Sequence, residues 1–517
     1  MKNIFKSDDD YQAFFEGLQE YLKENRVLED MYKYNVSFYS KLFENTANYF
    51  KYSTKAVERF VNAYNQYCRC AKDKENTFPA NGHDIFNYVA RYNMSNLQIQ
   101  AILKLNGNLD FEKLKKAVRL SVDAEPIFKC RFVEDDPPYW KPMENIGVIN
   151  FCSMEETGDI DQAIENFIQS PLDIDSDPMV KVKLIRSEQY DAIGIKINHA
   201  CCDGGGTLDY IRLLAEIYSN IDKIDREDDG FVLEPRIGGR KDQDRLFAEL
   251  GITDPDLLFT PGSDISVPMW PFPWQKGGSN TACMVVKRLP HGHLEKIHRY
   301  AKSRNATVND LILTAFYRAM LDMGQPIYGL PMEIPITVDL RRYLPDKKTQ
   351  AIRNFSGSEK TRLTMIIDEP FDETLQRVAG MMKKIKEGYP GLQSAIGLER
   401  IERISFHDTL AYYQVSPESR KTSLFCPLYY GDKCVPTLSN LGNISQSLIK
   451  FGDKTVNDAY ILPPVVRAPG LLLMACSYNS VLTLAVGYYK YTVSGKDIEK
   501  LVNRIRDELI EACKDEI

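Results

Sequence analysis

Residues Ala192 to Tyr218 read AIGIKINHACCDGGGTLDYIRLLAEIY, and this stretch decides the fold. Ile193, Ile195, Ile197 and His199 occupy every second position, so in a strand they share one face, with Gly194, Lys196 and Asn198 on the other. The imidazole therefore points with the isoleucines, toward the interior. The alternation stops at Cys201, Cys202 and Asp203, and Gly204, Gly205 and Gly206 follow, residues whose missing Cβ permits backbone angles that others avoid. Thr207 then stands as the cap of a helix in which Leu208, Ile211, Leu214, Ala215 and Ile217 recur at helical spacing. Asp209 falls in the first turn of that helix, where the dipole favours negative charge. The unit is strand, glycine turn, helix. A buried histidine bonded to backbone is the ordinary reading of His199, but its place at the strand's end, ahead of a turn that admits close approach, fits a reactive group.

A chain of 517 residues can bury two or more cores, and 44% hydrophobic with 26% charged residues is an ordinary globular composition. A net charge of -7 excludes a general affinity for nucleic acid. No apolar run is long enough to span a bilayer: Leu462 to Tyr489 is broken by Arg467, Pro469, Tyr478, Asn479 and Ser480. The opening MKNIFKSDDDYQ lacks the apolar core of a signal peptide, and eleven cysteines without regular spacing read as reduced thiols. Together these predict a cytoplasmic protein.

Outward from the central stretch, four regions emerge. Residues 1–77 form a helical extension: between Gly17 and Pro79 there is neither glycine nor proline, and Phe14, Leu18 and Leu22, then Val57, Phe60, Val61 and Tyr64, mark apolar stripes. Such stripes suit packing on the body, or contact with a partner protein or a lipid surface. Cys68 and Cys70 lack a second pair for a metal site. Residues 78–220 alternate strand and helix, with strands expected at Leu97–Leu105, Ile127–Val133 and Met179–Ile185 and a helix at Asp159–Ile168. Residues 221–281 lose this patterning in charge runs and in VPMWPFPWQKGG, a linker in which Trp270 and Trp274 either pack or line a channel mouth. Residues 282–517 repeat strand and helix: strands at Cys283–Leu289 and Met332–Val338, a helix Val308–Met323 capped by Thr307, a hairpin turning at Tyr478, Asn479 and Ser480, and a last helix capped by Ser494.

His199, Asp203 and Gly204 spell HxxxDG, which resembles the acyltransferases of the chloramphenicol acetyltransferase superfamily, among them condensation domains, wax ester synthases and alcohol acetyltransferases. Further stretches resemble the superfamily in order: LNGNLDFEKLKKAV from Leu105, TVNDLILTA from Thr307, PITVDLRRYLP from Pro335, RNFSG from Arg353 and LSNLGNI from Leu438. The resemblance implies an α/β (α+β) architecture of two subdomains, each a mixed sheet flanked by helices, behind the helical extension. It implies an acyltransferase for groups other than amino-acyl groups, with acyl-CoA or a carrier-bound phosphopantetheine thioester as donor substrate, an alcohol or amine as acceptor, an acyl carrier protein as candidate partner, and no bound cofactor or metal. His199 would be the general base, as a desolvated neutral imidazole can be. Asp203 would be structural, paired with a cation drawn from Lys129, Arg131, Arg341 or Arg342. The Gly204 N–H or Ser439 would hold the oxyanion, and Ser439, Asn440, Asn309 and Asp310 would face substrate. Where many condensation domains carry a second histidine, this chain has Asn198. That departure leaves a member that binds a thioester or carrier protein without turnover as the alternative. A nucleophilic Cys201 or Cys202 beside His199, or a zinc on all three, is disfavoured because such near neighbours align poorly.

Overall fold

The computed structural model describes residues 77–516, apart from 226–232, 237–241, 254, 259–267, 276, 278, 325, 327, 328, 403 and 415–432. The helical extension, with Cys68 and Cys70, and parts of the linker lie outside the described residues.

The strand Asp191–Asn198 lies inside a six-stranded mixed sheet. Its spatial order is Lys450–Phe451, Lys454–Leu462, Gln98–Leu105, Asp191–Asn198, Val180–Arg186 and Cys152–Glu156. All eight residues of Asp191–Asn198 are buried, so both faces are covered and not the isoleucine face alone. Gly194 explains how: a Cβ there would stand 2.6 Å from the ring of Phe167, on the helix Ile160–Gln169 that packs against this face. Lys196 shares that face, and its ammonium lies over the Phe167 ring, 4.5 Å from the centroid, and donates to the Ser170 hydroxyl at 2.8 Å. Burial pulls this lysine down to about 7. Opposite, the helix Gly204–Asp225 packs on the helix Phe111–Ala124, where the Tyr210 and Ser121 hydroxyls share a hydrogen bond of 3.2 Å.

The second sheet has seven strands. Along its main path the order is Ser356–Thr364, Pro331–Asp339, Lys433–Asn443, Gly470–Tyr478, Val481–Tyr489 and Ala282–Arg288, with Trp270–Pro271 paired to Lys433–Asn443. Its two inner pairings, on either side of Lys433–Asn443, are parallel and its outer ones antiparallel. The helices Val308–Met323 and Gly495–Ala512 bury Leu311, Ile312, Phe316, Ile498, Leu501 and Ile505 in its core. Thr307 and Ser494 cap these helices as expected. Asn479 and Ser480 take positive φ at the hairpin tip. Trp270 is buried, its indole N–H donating to the Glu333 carbonyl at 2.8 Å, and Trp274 packs on the same core, so the described linker residues lie on the body.

Three features differ from the sequence reading. The strand Lys454–Leu462 joins the first sheet beside Gln98–Leu105, so residues 282–517 do not enclose one sheet. Within Ile127–Val133 only Cys130–Val133 is strand; Pro126, locked at a helical φ, starts a short 3-10 turn through Lys129. The helix after the motif begins at Gly204, before the expected cap Thr207.

Candidate active site

His199 follows directly on the strand Asp191–Asn198 and is anchored by its own N–H, which donates to the Leu97 carbonyl at 2.7 Å. Asn198 shapes the turn: its side-chain oxygen accepts the Ala200 N–H at 3.0 Å and its backbone oxygen the Cys201 N–H at 3.1 Å. Asn198 therefore holds the loop that presents His199.

The imidazole is held from the second half of the chain. Asn354 precedes the strand Ser356–Thr364, and its side-chain amide donates to two carbonyls, those of His199 and Ala200, each at 2.9 Å. Two carbonyls require the NH₂ end, so the amide cannot be flipped. Its oxygen is left facing Nδ1 of His199 at 3.0 Å. Nδ1 must then carry the proton, and Nε2 carries the free lone pair. Burial lowers the histidine pKa against the smaller upward pull of its own carbonyl, Asp203 and Asn354. The ring is neutral and of fixed tautomer.

Asp203 makes no hydrogen bond to His199. Its Oδ1 accepts from Nη2 of Arg341 at 3.0 Å and from the Gly206 N–H at 2.7 Å; its Oδ2 accepts from Nη1 of Arg341 at 3.1 Å and from the Phe355 N–H and Ser356 hydroxyl, both at 2.7 Å. Burial alone would raise this carboxyl's pKa, but the Arg341 charge and these donors outweigh it and hold it well below the usual range. Of the four candidate cations, Arg341 is the partner. Lys129 pairs with Asp123, Arg131 donates to the carbonyls of Asp175 and Ser176, and Arg342 lies over the Tyr343 ring. Asp339, at 3.1 Å, and Asp209, at 3.8 Å, complete the surroundings of Arg341.

The three glycines are required by space. None has positive φ; they form the first turn of the helix, with Asp203 as its cap. A Cβ would fall 2.7 Å from a Leu441 methyl at Gly204, from Nη1 of Arg341 at Gly205, and from Sγ of Cys202 at Gly206. The turn expected of these glycines is, in the structure, a crowded helix start. Cys201 and Cys202 are buried, with Sγ donating to the carbonyls of Asn198 and Asp203, and burial pushes the Cys202 thiol far up. Neither is an activated nucleophile.

His199 lines a cavity of about 280 Å³ between the two halves, walled by Phe86, Ala90 and Met94 on one side and Thr337, Val435 and Leu471 on the other. Ser439, Asn440, Asn309 and Asp310 are absent from its walls. Ser439 is buried and accepts from the Thr337 hydroxyl at 3.1 Å, one side chain away from the cavity. Asn440 donates to Asn309 at 3.1 Å, tying strand to helix. Asp310 completes the capping box of its helix, accepting the Thr307 N–H at 2.9 Å, and its buried second oxygen lies 3.8 Å from Nζ of Lys386. In the structure these bonds engage Asn309, Asn440 and one oxygen of Asp310, while Oδ1 of Asp310 is buried without a hydrogen-bond partner. The sequence reading assigned no role to Asn354, although RNFSG was among the resembling stretches; a histidine partner 155 positions away leaves no local signal.

Residues 90–226 match the Condensation domain family, and the match contains the whole of the motif. No curated protein sequence matches the chain. Among solved structures, the first condensation domain of the calcium-dependent antibiotic synthetase, bound to a substrate analogue, is 14% identical, with a TM-score of 0.58 over 85% of this chain and 97% of that one. Trichothecene 15-O-acetyltransferase from Fusarium sporotrichioides is 14% identical, with a TM-score of 0.62 over 84% and 95%. Polyketide synthase associated protein 5 from Mycobacterium tuberculosis is 12% identical, with a TM-score of 0.58 over 85% and 98%. At these identities the likeness is one of fold, and it spans both sheets.

Proposed function

We propose that this chain, a member of the superfamily of condensation domains and chloramphenicol acetyltransferase-like acyltransferases, moves an acyl group from a thioester to an alcohol or amine. The donor would be acyl-CoA or the phosphopantetheine arm of a carrier protein. One observation carries the reading: Asn354 fixes His199 with Nε2 unprotonated, at a cavity formed jointly by the two halves.

In the proposed reaction Nε2 accepts the acceptor's proton as its oxygen or nitrogen attacks the thioester carbonyl. The tetrahedral oxyanion would be met by the Gly204 N–H at the start of the helix Gly204–Asp225, since Ser439 stands behind Thr337 and off the cavity wall. Collapse breaks the carbon–sulfur bond, and the departing thiolate takes the proton back from Nε2. The atoms balance without an oxidant or reductant. The Asn354 oxygen accepts from Nδ1 throughout, which keeps the ring oriented while it is transiently charged. Asp203 keeps the motif loop in place through Arg341 and stays out of the proton path.

The test is thiol release with mass-spectrometric detection of product, using acetyl-, hexanoyl- and palmitoyl-CoA and the corresponding carrier-bound thioesters against alcohols and amines. Acylated acceptor formed with stoichiometric thiol supports the proposal. Binding of a thioester without product from any pair supports the non-catalytic alternative.

A further inference from the structure

The cavity beside His199 is mostly apolar, yet Arg467 is part of its wall. Arg467 has no carboxylate within ion-pair distance among the described residues. Its Nη1 and Nη2 both reach one neutral oxygen, Oδ1 of Asn280, at 3.3 Å each, and its Nε is buried without a hydrogen-bond partner. The guanidinium is stacked on Tyr489, 4.6 Å from the ring centroid, which supports its plane without neutralising its charge. Its backbone N–H donates to the Met94 carbonyl at 2.7 Å, which holds this stretch of chain against the first half. A guanidinium is permanently charged and matches a carboxylate with two parallel hydrogen bonds. Leaving a buried donor unpaired is costly, and an entering anion removes that cost.

We infer that the cavity takes a small substrate bearing a carboxylate, with Arg467 holding that carboxylate while the rest of the molecule lies against the apolar wall toward His199. A volume of about 280 Å³ suits a small molecule, and it is too small for a whole nucleotide-bearing donor. The carboxylate thus belongs either to the acceptor, as in a hydroxy acid or amino acid, or to the acyl group, as in a dicarboxylic acyl thioester. This inference rests on the acyl-transfer reading for its geometry toward His199, but it is tested by binding.

Calorimetric titration of the full chain compares 4-hydroxybenzoate with its methyl ester, and succinate with its dimethyl ester, on the parent, Arg467→Ala, Arg467→Lys and His199→Ala. The carboxylate is expected to bind at least about tenfold tighter than its ester in the parent and in His199→Ala. Arg467→Ala should remove that preference while leaving ester binding unchanged, and Arg467→Lys should restore part of it. Preference within the hydroxybenzoate pair assigns the carboxylate to the acceptor, and within the succinate pair to the acyl group. Equal binding of acid and ester in both pairs, a preference that survives in Arg467→Ala, or no binding of either acid overturns the inference. If the preference is found but no acyl transfer is, the carboxylate site stands and the proposed reaction falls.

Discussion

Replacing Asp203 with asparagine removes one charge and two acceptor directions from a site with no slack. Each carboxylate oxygen is already committed: Oδ1 to Gly206 and Arg341, Oδ2 to Phe355, Ser356 and Arg341. An asparagine NH₂ in the Oδ1 position confronts two donors, and in the Oδ2 position three. At least two buried donors therefore lose their acceptor, at about 1–3 kcal/mol each. Arg341, its side chain only 5% exposed, also loses its nearest buried anion. Asp339, 57% exposed, and Asp209 at 3.8 Å compensate in part. Breaking one side of a buried pair typically costs about 3–5 kcal/mol, which lies inside the span of about 2–6 kcal/mol that two lost donors give. Urea denaturation of the parent, Asp203→Asn, Arg341→Met and the double variant measures it, with equal m-values as the check on a shared transition. Each single variant should lose about 3–5 kcal/mol and the double variant less than their sum, by at least about 1 kcal/mol of coupling. Additive losses, or a loss below about 1 kcal/mol in Asp203→Asn, would refute the clamp.

The same carboxyl sets an acid dependence: its folded pKa is below its unfolded value of about 4, so its stabilisation is complete above that pH and is lost as pH falls toward the folded pKa. Urea midpoints measured between pH 3 and pH 7 should therefore fall more steeply on acidification in the parent than in Asp203→Asn, and parallel curves would contradict this. Because burial lowers the His199 pKa, the acid limb of kcat/KM should have its midpoint below about 6.5, and a midpoint above 7 would argue for another base. Asn354→Asp puts a negative charge beside Nδ1 and should move that limb upward while lowering stability, since the carboxylate repels the carbonyls of His199 and Ala200; an unmoved limb would show that Asn354 does not govern the ring. Gly205→Ala sets a methyl 2.7 Å from Nη1 of Arg341, and overpacking there should cost about 1–3 kcal/mol by the same denaturation assay.

Much of the site's scaffold was legible because its signals are local. Alternating isoleucines mark the strand that ends before His199, and Thr307 and Ser494 mark helix starts that the structure reproduces. The Asp203 partner could be narrowed to four cations but not chosen, since the bond joins residues 138 apart and local sequence carries no trace of it. Asn354 and the strand Lys454–Leu462 escaped for the same reason: one reaches His199 across the two halves, the other pairs with residues more than 350 positions earlier. The three glycines are conspicuous in the sequence, but the turn expected of them is a helix start. Composition shows that Gly204, Gly205 and Gly206 lack a Cβ, while only the fold shows that Leu441, Arg341 and Cys202 occupy the space it would need. Asp310 completes a capping box with Thr307, three positions before it, a local role that takes one of its two carboxylate oxygens.

The central claim is that Nε2 of His199 takes a proton from the acceptor, and single-turnover thiol release by His199→Ala beside the parent tests it most directly. With donor and acceptor saturating, the account predicts a loss of about 10²–10⁴-fold in rate, with an unchanged urea midpoint and unchanged donor affinity. Thiol release at the parental rate in a folded His199→Ala would contradict it.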